Sequence, residues 1–260
     1  MLRLKEYLIA QKKTNLVLQE VAQNVSVGIT EKELAKALKI KLEQAGAISF
    51  FHYPIVWFGE RTGPLKVGKK INPFPQEQRL KENEIFILDV APIFKNGIVV
   101  DSSITSSIEE SAFLNESAEL KNLLKEKIPQ WVAEGMEIKE ICTKAYGLMA
   151  CFGFKSCQNR YLFSAFGHRL FPSSPLVKKP IIGLSAGSAV KLFSKAALSK
   201  VISKIEYPFW NQSINCTNPP NPGIWSIEPH FTQGDIGFKW EEILIVNGKD
   251  TTWLSERDDL

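Results

Sequence analysis

Apolar positions recur at helical spacing near the start of the chain, through Leu8, Leu16, Leu18, Val21 and Ala22, and predict a first helix. A second is predicted to open at Thr30, with Glu33 three residues later in a capping-box pattern. It runs through Leu34, Leu38 and Leu42 and stops near Gly46. The stretch from Gly28 to Gly46 is echoed from Gly135 to Gly153. Both begin and end on glycine with the same separation; Lys32-Glu33 matches Lys139-Glu140, Leu34 matches Ile141, and Leu42 matches Met149. Two amphipathic helices with similar ends account for the echo. So does a duplicated α+β half, with helices packed on one face of a curved sheet.

Strand patterns cluster in two places. IFILDVAPIFKNGIVVD, residues 85–101, reads as a β-branched hairpin around Lys95-Asn96-Gly97. Residues 223–231 and 237–246 form a second apolar pair. Between His168 and Glu228 lies a long segment with several prolines and a helical pattern, SAVKLFSKAALSKVISKI. Its Lys191, Lys195, Lys200 and Lys204 read as a solvated face.

The 260 residues are 44% apolar, enough for one large domain or two small lobes. A net charge of +4 with mixed signs is too mild to argue for nucleic acid, and no arginine stripe interleaved with aromatics appears, so no nucleic-acid partner is expected. The opening MLRLKEYLIAQKK lacks the uninterrupted apolar segment of a secretory signal, and no run approaches a membrane span. A cytoplasmic protein without a membrane partner is expected. Cys142, Cys151, Cys157 and Cys216 form no CxxC pair and are expected to be buried, reduced thiols. With only three histidines, metal chemistry must lean on carboxylates.

Five residues in short apolar contexts offer that chemistry: Asp89, Asp101, His168, Glu228 and Glu241. Four carboxylates and an imidazole are the ligand set of a two-metal hydrolytic centre. The two aspartates are twelve positions apart. A two-residue Asn96-Gly97 turn would set Asp101 opposite Pro92, on the other face from Asp89. A three-residue Lys95-Asn96-Gly97 loop, with Gly97 left-handed, sets Asp101 opposite Ala91 and makes the aspartates diagonal neighbours on one face. IFILDVAPI would otherwise bury an unpaired Asp89 carboxylate at a cost of several kcal/mol. Of the adjacent Glu241 and Glu242, strand alternation turns only one inward.

These segments together resemble the pita-bread metallopeptidases, the group that includes methionine aminopeptidase, aminopeptidase P, prolidase and creatinase. ILDVAPIFKNGIVVD resembles that family's hairpin with two metal-binding aspartates. FGHRL resembles its Gly-His motif, IEPH its Glu-Pro motif, KWEEILIV its final metal-binding glutamate, and VGITEKEL the start of its first domain helix. The resemblance covers roughly residues 25 to 250. It implies an α+β pita-bread fold: a curved antiparallel sheet covered by helices, in two pseudo-twofold halves. The expectation is a single catalytic-type domain over residues 1–260, with no separate N-terminal domain.

By the same resemblance Asp89 would chelate one ion, Asp101 and Glu241 would bridge two, and His168 and Glu228 would complete the other. Glu228 would also accept the proton of the attacking water. The implied function is removal of an N-terminal residue, or cleavage of a small peptide of Met or Xaa-Pro type. The alternatives are a non-catalytic peptide- or protein-binding module and a hydrolase of a non-peptide amide. The carboxylate-rich ligand set favours two Mn²⁺ ions, with Co²⁺, Zn²⁺ or Fe²⁺ as other occupants.

The chain departs from the family in places. The spacing between the aspartates is one longer, and the segment from His168 to Glu228 is much longer than in methionine aminopeptidases. No histidine falls near FGERTGPLKV or PSSPL, where the family's two substrate-side imidazoles are expected. His230 is the candidate replacement, since alternation points it to the same face as Glu228; the alternative is a core histidine bonded to backbone. Arg169 is a candidate for a substrate carboxylate, or for a structural salt bridge. His52, in FFHYP, reads as structural.

Overall fold

The computed structural model describes residues 2–64, 72–171, 208–213 and 216–257. The lysine-bearing segment Lys191–Lys204 lies outside the described residues.

The first helices form where the pattern put them. α1 spans Leu2–Gln23 and α2 spans Glu31–Gln44. At the start of α2 the Thr30 hydroxyl accepts from the Glu33 N–H at 3.1 Å, and the Glu33 carboxylate accepts from the Thr30 N–H at 2.8 Å. Leu34, Leu38 and Leu42 are buried, as are Leu8, Leu18 and Val21 of α1. Leu16 is 65% exposed and leaves the predicted stripe.

β1 (Ser49–Phe50), β2 (Ile55–Phe58), β3 (Ile85–Val90), β4 (Pro92–Ile93) and β5 (Ser102–Ser107) follow. α3 (Ala112–Ala133) and α4 (Ile138–Cys151) come next. Strands β6 (Lys155–Ser156), β7 (Gly167–Arg169), β8 (Phe209–Trp210) and β9 (Gly223–Ile227) precede β10 (His230–Gln233), β11 (Ile236–Lys239), β12 (Glu242–Val246) and β13 (Thr252–Trp253).

The echo in the sequence recurs in the backbone. Each half opens with a helix of 22 residues and continues with one of 14. Gly28, Gly46, Gly135 and Gly153 all take left-handed φ values, from +76° to +107°. Each half carries a three-stranded antiparallel sheet, β2-β3-β5 in one and β6-β10-β11 in the other. A further sheet runs β13-β12-β9-β7-β8. Two apolar cores result: Leu18, Leu38, Phe58 and Phe86 lie in the first, and Leu120, Ile141, Phe166 and Phe231 in the second.

Two hairpins set the positions that matter. In the first, Val90 faces Ser102 and Ile93 faces Val99, so Asp101 stands opposite Ala91. The loop has three residues, closed by the Phe94 N–H donating to the Ile98 carbonyl at 2.8 Å. Gly97 is left-handed as expected (φ +73°), and so is Asn96 (φ +64°). In the second, Ile227 pairs with Glu242 and His230 with Lys239. Glu228 is thus opposite Glu241 where the ladder breaks at Pro229, which has no N–H to give.

All four cysteines are free. Cys142, Cys157 and Cys216 are buried, but Cys151, the last residue of α4, is exposed, contrary to the expectation. Among the described residues no helix is long and apolar enough to cross a membrane.

Candidate metal centre

One cavity, of about 160 Å³, is lined by Asp89, Asp101, His168, Glu228 and Glu241 together, the five side chains expected to converge. Asp89 lies on β3 and Asp101 just before β5, both almost fully buried. His168 lies on β7, between β9 and β8. Gly167 permits that approach: a Cβ there would sit 2.7 Å from the Ser226 carbonyl oxygen. Glu228 and Glu241 come from the break in the second hairpin. Glu242 turns the other way, to Lys125 of α3 at 2.7 Å, so one glutamate of the pair faces in as alternation requires.

Two further residues line the cavity: His52, which its sequence context marks as structural, and Lys239. Phe50 pairs with Pro92, and Ile55 with Asp89. Five steps on one strand therefore match three on the other, and the two extra residues form a bulge that carries His52. Its Nδ1–H donates to the Tyr53 carbonyl at 2.9 Å. Its Nε2 lies 3.5 Å from Asp89 Oδ1 and 3.8 Å from Asp101 Oδ1. Lys239 is buried, with Nζ 2.7 Å from Asp89 Oδ2, 2.5 Å from Glu241 Oε1 and 3.6 Å from Glu228 Oε2. The signal for Lys239 was in the sequence: it is two residues before Glu241 in a strand-like run, so alternation turns both inward.

The carboxylate oxygens divide into two groups. Lys239 takes Asp89 Oδ2 and Glu241 Oε1, and His168 Nε2 meets Asp101 Oδ2 at 3.0 Å. The other oxygen of each, Asp89 Oδ1, Asp101 Oδ1 and Glu241 Oε2, is buried with no hydrogen-bond partner among the described residues. Buried acceptors without partners are costly, and oxygen ligands facing one small space are what a divalent cation takes. The donor set fits metal.

Charge tells the same story. Burial, with the charges of Asp101 and Asp89, raises the Glu241 and Glu228 carboxyls, Glu241 the more strongly. Burial works against charge on His52, yet Asp101 and Asp89 outweigh it and lift the imidazole to about 9. Burial likewise opposes charge on Lys239, but Asp89 and Glu241 hold its pKa well above the usual value. The cluster is short of positive charge, as a cation site is when its ligands alone are counted.

The two remaining candidates do not reach the cavity. His230 is fully buried one layer back, its Nε2–H donating to the Thr62 carbonyl at 2.8 Å. Nδ1 therefore accepts from the Tyr161 hydroxyl at 2.6 Å, and the Tyr161 ring, not His230, lines the cavity beneath the Lys239 ammonium. Strand alternation gave His230 the right side, but Tyr161, from a separate loop, fills the space in front of it. Arg169 donates to the Pro222 carbonyl at 2.8 Å and lies over the Trp225 ring, so packing holds it away from the cavity.

Residues 5–247 match the model of metallopeptidase family M24. The chain belongs to metallopeptidase family M24. Its mixed α/β architecture is that of the M24 pita-bread fold. An X-Pro aminopeptidase from Thermotoga maritima superposes with a TM-score of 0.64 at 17% identity, over 95% of this chain and 59% of that one. A dipeptidase from Pyrococcus horikoshii gives 0.69 at 19%, over 97% and 60%. A prolidase from Thermococcus sibiricus gives 0.67 at 19%, over 98% and 59%. The M24 chain described here thus spans about three fifths of the length of these structures. No curated protein matches it.

Proposed function

We propose that this M24 chain is a metal-dependent peptidase that removes an N-terminal residue or cleaves a small peptide, of Met or Xaa-Pro type. The observation that carries the reading is the convergence of five ligand-type side chains, with three unpartnered carboxylate oxygens, on one cavity. Asp89 would hold one ion, Asp101 and Glu241 would bridge, and His168 and Glu228 would hold the second. On those five ligands alone Mn²⁺ is favoured, with Co²⁺, Zn²⁺ or Fe²⁺ as other occupants. The proposed setting is the cytoplasm, as one catalytic-type domain with a peptide as partner.

When bound, such ions polarise a peptide carbonyl and bring the pKa of water near neutrality. The chain's own residues do the rest. Glu228, buried at the cavity wall, would take a proton from the attacking water and pass it to the leaving amine. Lys239, 3.6 Å from Glu228 Oε2, keeps the charged form within reach. Phe51, Ile55, Ala165 and Phe209 form an apolar wall that would hold a compact side chain and exclude water.

Glu228→Gln tests this. With metal supplied, turnover of a panel of Met-, Pro- and Xaa-Pro-peptides should fall about 10²–10⁴-fold while the circular dichroism spectrum is retained. Wild-type protein with full metal and no turnover on any peptide would favour the binding-module reading instead.

A further inference from the structure

We infer that His52 is itself a metal ligand, coordinating through Nε2 the ion held by Asp89 and Asp101. The inference rests on the metal-centre reading above and adds a nitrogen to a ligand set that otherwise holds only one, from His168.

Three observations carry it. The tautomer is fixed, because the Tyr53 carbonyl can only accept, so the proton of a neutral His52 ring sits on Nδ1. When a cation takes the place of the Nε2 proton, the Nε2 lone pair faces the cavity. A ligating histidine commonly has this arrangement, its other ring N–H anchored to a backbone carbonyl. His168 repeats it, with Nδ1 3.4 Å from the Arg169 carbonyl oxygen and Nε2 towards Asp101.

The distances also select ligation. His52 Nε2 lies 3.5 and 3.8 Å from the two aspartate oxygens, longer than hydrogen bonds. Donors bound to one ion at about 2.0–2.2 Å, with tetrahedral or octahedral angles, stand about 3–3.5 Å apart. The observed spacing is within a few tenths of an ångström of that. Both facing oxygens, Asp89 Oδ1 and Asp101 Oδ1, are buried and have no other partner among the described residues. One ligand atom from each of the three residues lies within 4.8 Å of the others.

Finally, the bulge between β1 and β2 gives this placement a cause. Without its two extra residues His52 would fall elsewhere in the ladder, and bulges commonly re-aim a side chain beside a site.

The consequence concerns which metal is taken. Carboxylate-only sites suit Mn²⁺ or Mg²⁺, whereas imidazole suits Zn²⁺ and Fe²⁺. With His52 on the first ion and His168 on the second, preference moves from Mn²⁺ towards Zn²⁺ and its neighbours.

The chain has only three histidines, so imidazole nitrogen NMR with ¹⁵N-labelled histidine can count the ligands directly. Metal-free protein would be titrated with Zn²⁺ alone. Two of the three imidazoles should shift, and His52→Gln should remove one of them and weaken Zn²⁺ binding at least about tenfold. His230 should not move, because Thr62 and Tyr161 hold both its nitrogens. If a single imidazole shifts, the metal centre stands and the His52 assignment falls. If none shifts, both fall. The count in the wild type decides even if His52→Gln fails to fold, and peptidase activity does not enter.

Discussion

At His230 burial and neighbouring charge act in the same direction. Burial first, then Arg160 and Lys239, push the imidazole well below its ordinary value of 6.5, so it stays neutral in the folded protein. In the unfolded chain it protonates below about 6.5, so there the unfolded state binds more protons. The stability it contributes is complete above that pH and is lost as pH falls, by about 1.4 kcal/mol per unit at most. Urea midpoints of wild type and His230→Gln at pH 7.5 and 5.5 should therefore converge on acidification. Equal losses in both proteins would mean the ring takes up a proton in place. At this scale the convergence of the four carboxylates on one cavity was legible because a carboxylate in an apolar strand is expensive unless something balances it. The same rule holds for cations, and Lys239 is an ammonium at an inward position. His52 was not legible: a bulge of two residues between short strands leaves no periodic trace in FFHYP.

At the scale of elements, the duplicated helices invite a comparison that each half can answer for the other. α2 begins on Thr30 with a complete capping box, whereas α4 begins on Glu137 with no side-chain cap, although Glu140 stands at the third helical position. Thr30→Ala should cost about 1 kcal/mol. Glu137→Thr supplies the missing partner for Glu140 and should raise stability by about 0.5–1 kcal/mol. Thermal unfolding of both variants checks this, and a destabilised Glu137→Thr would show that the ends of the two helices are not equivalent. The echo was readable because helix periodicity and end glycines are local. The register of both hairpins was readable in part, from loop length. The layering of Tyr161 in front of His230 was not, because it joins a loop to a strand 69 residues away.

For the molecule as a whole, the candidate metal centre lies where the two halves meet. His52, Asp89 and Asp101 come from the first half, and His168, Glu228, Lys239 and Glu241 from the second. The ion pairs Lys239–Asp89 and His168–Asp101 cross that boundary. Bound metal would cross it too, since its ligands come from both sides. Ligands that bind only the folded state stabilise it by mass action, about 2.7 kcal/mol at a hundred times Kd and about 4.1 at a thousand. Chelation should therefore lower Tm clearly but leave a folded protein, because Lys239 still pairs with Asp89 across the boundary. Lys239→Met removes that internal cation and leaves its buried partners uncompensated, a change worth about 3–5 kcal/mol in comparable pairs. The metal-free variant should then lose most of its cooperative melt, while the metal-loaded variant recovers much of it, because the ions supply the missing positive charge. Scanning calorimetry of both proteins with and without chelator measures the four states. A Lys239→Met protein equally stable in both conditions would show that the ammonium and the ions do not share the work of holding the halves together.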